Sequence, residues 1–168
     1  MHYVHADYPS PSGLLSLRRA AQGWDPGPDK GKQTEQDLRF ENFFREIFQQ
    51  SQTSLAVLSN APNDRKEAWF LSNEQALAAR EQVNARTGRR SLLAHALFTP
   101  GQPGWMDALD RTIELKPDAF KGYTLGDPGG GSRYPWRLDD EKLVYPAFEK
   151  MKKVGIRNVC IHKGLLPT

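Results

Sequence analysis

Apolar residues along this chain change their spacing in a regular rotation. Phe40, Phe43, Phe44, Ile47 and Phe48 recur at steps of three and four, which predicts one face of an amphipathic helix, with Thr34 three residues before Asp37 marking its start. The run Ser54-Leu55-Ala56-Val57-Leu58-Ser59 has no helical period and ends in the turn-rich Asn60-Ala61-Pro62-Asn63-Asp64, so it predicts a strand buried on both faces. Ser72 and Gln75 make a capping-box pair ahead of a segment rich in Ala, Arg and Glu, and Gly88 suits the left-handed position that closes a helix. The rotation continues with a strand at 91–98 and a helix lined by Trp105, Leu109 and Ile113. A strand at 119–124 follows, weakened by its central Gly122. Asp139 or Asp140 then caps a helix striped by Leu143, Val144, Ala147, Phe148 and Met151, and a last strand spans 158–162.

Strands alternating with helices at this interval imply right-handed βαβ units and a parallel sheet. With a stub at Tyr3 and Val4 the count is about five strands. Two α/β architectures fit: a partial (β/α)8 TIM barrel of about five βα units, or a doubly wound parallel sheet. In the first, residues 1–168 form a single incomplete barrel domain with a Pro/Gly-rich loop at 8–31. Either way, chemistry belongs at the carboxyl ends of the strands. At those ends stand His2 and His5, Ser59 and Asn60, His95, Lys121 and Tyr123, and His162 with Lys163. Neutral imidazoles facing a shared pocket can bind a divalent metal, and the same residues can equally be ordinary polar caps of a sheet.

Composition removes several classes. With 23 Lys and Arg against 20 Asp and Glu, the net charge of +3 is too small to argue for nucleic acid. At 38% hydrophobic residues and a mean hydropathy of −0.66, no stretch approaches a membrane span. The single cysteine, Cys160, excludes an internal disulfide and a thiolate zinc cluster, and its place inside an apolar strand reads as core. Residues 1–7 lack the basic start and apolar run of a secretory signal, so the default expectation is cytoplasmic, with a leader upstream of this chain left open. The loop Gly126-Asp127-Pro128-Gly129-Gly130-Gly131-Ser132 has neither the Gly-Lys-Ser/Thr of a Walker loop nor a helix at its third glycine. It reads as a mobile lid within 125–138. Ser59 and Ser132 lack the Gly-x-Ser-x-Gly elbow of serine hydrolases.

Three segments carry a resemblance. They are Lys116-Pro117-Asp118-Ala119-Phe120-Lys121-Gly122-Tyr123-Thr124, Trp136-Arg137-Leu138-Asp139-Asp140-Glu141 and Val159-Cys160-Ile161-His162-Lys163-Gly164-Leu165. Together the chain from about Phe40 onward resembles the amidohydrolase-related group of metal-dependent hydrolases, the branch that also contains decarboxylases. The resemblance implies a (β/α)8 barrel whose metal is held by a His-x-His pair on the first strand, a His ending the fifth and an Asp ending the eighth. His162 then corresponds to the fifth-strand ligand. His2 corresponds to one member of the first-strand pair, although its partner would fall before Met1 and His5 has the wrong spacing.

What the resemblance implies is a hydrolase or decarboxylase using a divalent metal, zinc with manganese as the alternative, on a small carboxylate-bearing substrate. Lys121, His95, Tyr123 and Lys163 are the substrate-binding candidates, and no residue is assigned a catalytic role. In some relatives a carboxylated lysine on the fourth strand bridges two metals, whereas Lys121 can instead face a substrate carboxylate or the helix layer. With no room for the last three strands, the chain is expected to be truncated and inactive alone, its unpaired edge inviting a homo-oligomer. The partner is a small molecule, neither nucleic acid nor membrane. The competing expectation is a non-catalytic α/β binding or scaffold module.

Overall fold

A computed structural model describes residues 3–9, 34–128 and 130–163. Four strands, β1 (Ala56–Leu58), β2 (Leu92–Leu97), β3 (Ala119–Tyr123) and β4 (Val159–His162), form one parallel, curled sheet in the order of the sequence. Between them run α2 (Asn73–Thr87), α3 (Trp105–Glu114) and α4 (Tyr145–Lys153), with α1 (Phe40–Phe44) ahead of β1. Among the described residues, each helix packs on the same side of the sheet. α1 and α2 meet Ala56, Leu58 and Leu92, while α3 and α4 meet Ala96 and Phe120.

That side is the apolar half of each strand's period-2 alternation. Leu58, Leu92, Ala94, Ala96 and Phe120 have no exposed surface, and each large side chain removed from water there contributes about 1.5–3 kcal/mol. Gly122 has a packing reason for lacking a side chain. A Cβ at this position would stand 2.7 Å from Trp136 and 2.8 Å from Phe98, so the two rings close over the strand only because glycine is there.

Helix ends follow the expected chemistry in part. Ser72 and Gln75 form the reciprocal capping box at the start of α2, and Gly88 closes it at φ 66°. The Thr34 and Asp37 pair also forms, but it caps a separate 3-10 turn, Glu35–Leu38. The phenylalanine face beyond it is divided between α1 and a π-helical turn, Arg45–Gln49. α4 starts at Tyr145, because Asp140 spends its carboxylate on the amides of Lys142 and Leu143 in the preceding turn.

The strand count differs from the expected five. Tyr3 and Val4 form no strand: Val4 N–H donates to the Leu38 carbonyl and His5 N–H to that of Phe70, leaving this segment on the helix side with Tyr3 against Phe40 and Phe43. His162 therefore ends the fourth strand among the described residues. His2 and, apart from Tyr8 and Pro9, the loop expected at 8–31 lie outside the described residues. No helix among the described residues is long and apolar enough to cross a membrane.

Candidate functional site

The second side of the sheet has no helix over it among the described residues. Register fixes its occupants. His95 pairs with Ala119 and Leu97 with Lys121, while Lys121 pairs with Cys160 and Tyr123 with His162. Partners across a parallel ladder point the same way, so Ser59, His95, Lys121, Tyr123, Cys160 and His162 share the concave face, a polar row interrupted by Leu97, which is buried with Tyr123 against Ala61, Trp69 and Phe70. The same alternation that buries Leu58, Ala96 and Phe120 lifts these residues out of the helix-side core.

Three of the expected site residues converge at the carboxyl ends of β3 and β4. The rings of Tyr123 and His162 stack with centroids 4.7 Å apart at 27°, and Lys121 Nζ lies 5.3 Å from the Tyr123 ring centroid. Tyr123 is held from behind, where its hydroxyl donates to the Asn60 carbonyl at 3.0 Å, and burial pushes its phenol up from the ordinary value. Asn60 is wholly buried and fastens the end of β1. Its side-chain oxygen accepts from the Ala61 and Leu71 amides, and its amide group donates to the Leu71 carbonyl. The stack therefore sets His162 against a tyrosine hydrogen-bonded to the end of β1. Lys163 is exposed beside it, with its carbonyl accepting from Thr124 Oγ1 at 3.2 Å.

His95 stands apart from that convergence. Its ring bridges Ser59 and Cys160, with Nδ1 3.3 Å from Ser59 Oγ and Nε2 3.4 Å from Cys160 Sγ. Burial, and then the Lys121 cation, hold the His95 imidazole below the ordinary histidine value, so it is neutral at pH 7. Cys160 is half-buried on this face and lies outside the helix-side core in which its apolar neighbours suggested it. His5 is far from the expected metal role in kind as well as spacing, paired at 3.1 Å with the exposed Asp7.

The described parts of the expected lid, 125–128 and 130–138, are tied to the strand ends and to the loop after β1. Asp64, from the loop after β1, accepts from Ser132 Oγ at 2.5 Å and from the Arg133 amide at 2.9 Å. These two hydrogen bonds, the backbone one first, hold its carboxyl below the usual range. Trp136 is buried with its ring centroid 5.4 Å from that of Phe98, and its backbone N–H donates to the Thr124 carbonyl. Asp64 appeared in the sequence only as a turn residue. Its latch joins positions 68 residues apart, and no local pattern signals that.

At the opposite end of the sheet, Asp118 accepts from the Ala94 amide and from Arg80 and Arg90. Burial pushes its carboxyl up, but these donors more than offset that and leave it below the ordinary value. Asn73 likewise clasps Leu97 through both N–H and C=O, tying the start of α2 to the end of β2. Both are structural fasteners outside the polar row.

Compared with family models, curated proteins and solved structures, the chain matches none.

Proposed function

We propose that the chain forms part of a (β/α)8 barrel enzyme of the amidohydrolase-related group, with β1–β4 as its second to fifth strands so that His162 keeps the fifth-strand position, a metal-dependent hydrolase or decarboxylase acting on a small carboxylate-bearing molecule. The observation that carries this reading is the one-sided sheet. Among the described residues helices cover a single face, as in a barrel wall, while the other gathers Lys121, Tyr123 and His162 toward the carboxyl ends of the strands. In a doubly wound sheet helices would be divided between both faces. A groove of about 410 Å³ lined by Phe148, Met151, Ile156 and Val159 runs beside β4, where a further βα unit of the same wall would pack.

The donor set fits the expected metal only in part. His162 offers one imidazole, stacked on Tyr123, but the described residues bring together no group of three or more His, Cys, Asp and Glu that could hold a metal ion. His162 is thus one ligand of a set, with His2 the other candidate, and the rest must come from outside the described residues. A cation bound there, zinc or manganese, would supply Lewis-acid polarisation of a substrate carbonyl. The chain's own residues supply position and charge. Lys121 holds the substrate carboxylate, Tyr123 fixes the His162 ring plane, and Lys163 adds positive charge at the rim.

The test uses protein expressed from the whole reading frame. Elemental analysis should find one divalent metal per chain, and His162→Ala should lower metal content and turnover together, metal affinity by about tenfold or more. If the wild type holds no metal, or if His162→Ala keeps its metal, the metalloenzyme reading falls and a non-catalytic α/β binding module takes its place.

A further inference from the structure

The segment from Gly130 to Trp136 is fastened by different means at its two ends. Trp136 anchors one of them. Its ring is buried against Phe98 over Gly122, and its backbone N–H donates to the Thr124 carbonyl at 2.8 Å. Toward the other end Gly130, Gly131 and Arg133 are exposed, and the tie is a carboxylate from the loop after β1. Asp64 accepts from Ser132 Oγ at 2.5 Å and from the Arg133 amide at 2.9 Å, with Arg133 Nε 3.6 Å away. These donors hold its carboxyl below the usual range, so it is charged at pH 7. Ser132 in turn sits directly on Gly126, where a Cβ would stand 2.2 Å from Ser132 Oγ, so the segment seats this low only because glycine is beneath it. Pro62, Gln102, Tyr123, Tyr134 and Trp136 then close around a space with no room for a water molecule. The two fastenings differ in kind. Polar groups released to water exchange one hydrogen bond for another at little net cost, whereas releasing Trp136 would expose a buried indole.

We propose that residues 130–136 form a strap that hinges at Trp136 and is clasped by Asp64, and that its opening uncovers the Tyr123 ring at the carboxyl end of β3. In the closed state, which the structure holds, the clasp keeps Tyr134 over the space beside Tyr123. In the open state Asp64, Ser132 and the Arg133 amide are hydrated, Trp136 stays on Phe98, and the closed space becomes a pocket with Tyr123 as its floor. Asp64 acts only through the strap and is a positioning residue. The device does not rest on the metal reading, since neither His162 nor a cation takes part in it.

The experiment follows amide hydrogen exchange in the full chain at pH 7, with EDTA present so that the outcome is independent of any metal. In the wild type the Arg133 amide should exchange faster than that of Trp136. Asp64→Ala should raise the Arg133 rate by about tenfold or more and leave the Trp136 rate within about twofold. Ser132→Ala, which removes one of the two hydrogen bonds, should raise the Arg133 rate by a smaller factor. Circular dichroism establishes that each variant is folded, and if Asp64→Ala is not, Ser132→Ala decides. Treatment with tetranitromethane, read by peptide mass spectrometry, should nitrate Tyr123 faster in the unclasped variant than in the wild type. An unchanged Arg133 rate in the folded variant overturns the clasp. A Trp136 amide that speeds up as much as that of Arg133 overturns the hinge, and equal nitration of Tyr123 overturns the opening over that ring.

Discussion

The two faces of the sheet are built from alternate residues of the same four strands, yet they obey different rules. Toward the helices stand Leu58, Leu92, Ala96 and Phe120, all without exposed surface and packed in apolar clusters. At alternate positions of the strands stand Ser59, His95, Lys121 and, on β4, His162, with hydrogen bonds, a ring stack and partial solvent access. The difference teaches that stability and chemistry can be divided within single strands. A side chain on the covered face is held by dispersion and exclusion of water, whereas one on the concave face is free to keep a polar head at a defined place.

The sharpest way to break this comparison is Phe120→Ala. Truncating a wholly buried ring on the covered face should cost about 3–5 kcal/mol in urea unfolding, and a loss under 1 kcal/mol would mean that this face is not the core. Gly122→Ala adds a single methyl where Trp136 and Phe98 already meet. It should cost about 1–3 kcal/mol and move the tryptophan emission, because the rings must separate to admit it.

Asp118→Asn probes the fastening at the amino ends of the strands and should cost about 1–2 kcal/mol at pH 7. The carboxyl's folded value lies below its unfolded one, near 3.9 for an ordinary aspartate. Its contribution is therefore complete above that value and disappears as pH falls through the lowered folded one. Wild type and variant should differ in urea midpoint at pH 7 and converge in acid. A gap that stays constant with pH would separate the fastening from the charge. The smallest effect belongs to His162→Ala, on the concave face. It removes a half-exposed ring from one side of a stack and should change stability by less than about 1.5 kcal/mol. If it unfolds the chain as Phe120→Ala does, the division between the faces is lost.

Much of the scaffold was legible along the chain, because its signals are local. The capping pair of Ser72 with Gln75, the left-handed Gly88 and the Phe40 to Phe48 spacing act within a turn or two of backbone, so sequence reports them directly. The start of α4 was misread for the same reason. Asp140 is a good cap in isolation, and only the following turn shows that its carboxylate is used before the helix begins. Tyr3 and Val4 look like a strand by composition, but the groups that take their backbone bonds lie at Leu38 and Phe70, beyond any local window.

By itself, then, the sequence determined that strands and helices alternate, where most of them end, and that His95, Lys121, Tyr123 and His162 fall on strands. Which side each of those residues faces was decided by the tertiary structure. Alternation along a strand defines two faces without labelling either, and only the packing of the described helices against one of them left His95, Lys121 and His162 on the other. The same holds for the pairing of His95 with Cys160, 65 residues apart, and of Asp64 with Ser132, 68 apart. Parallel register and loop closure set both distances, and they depend on the whole sheet being assembled.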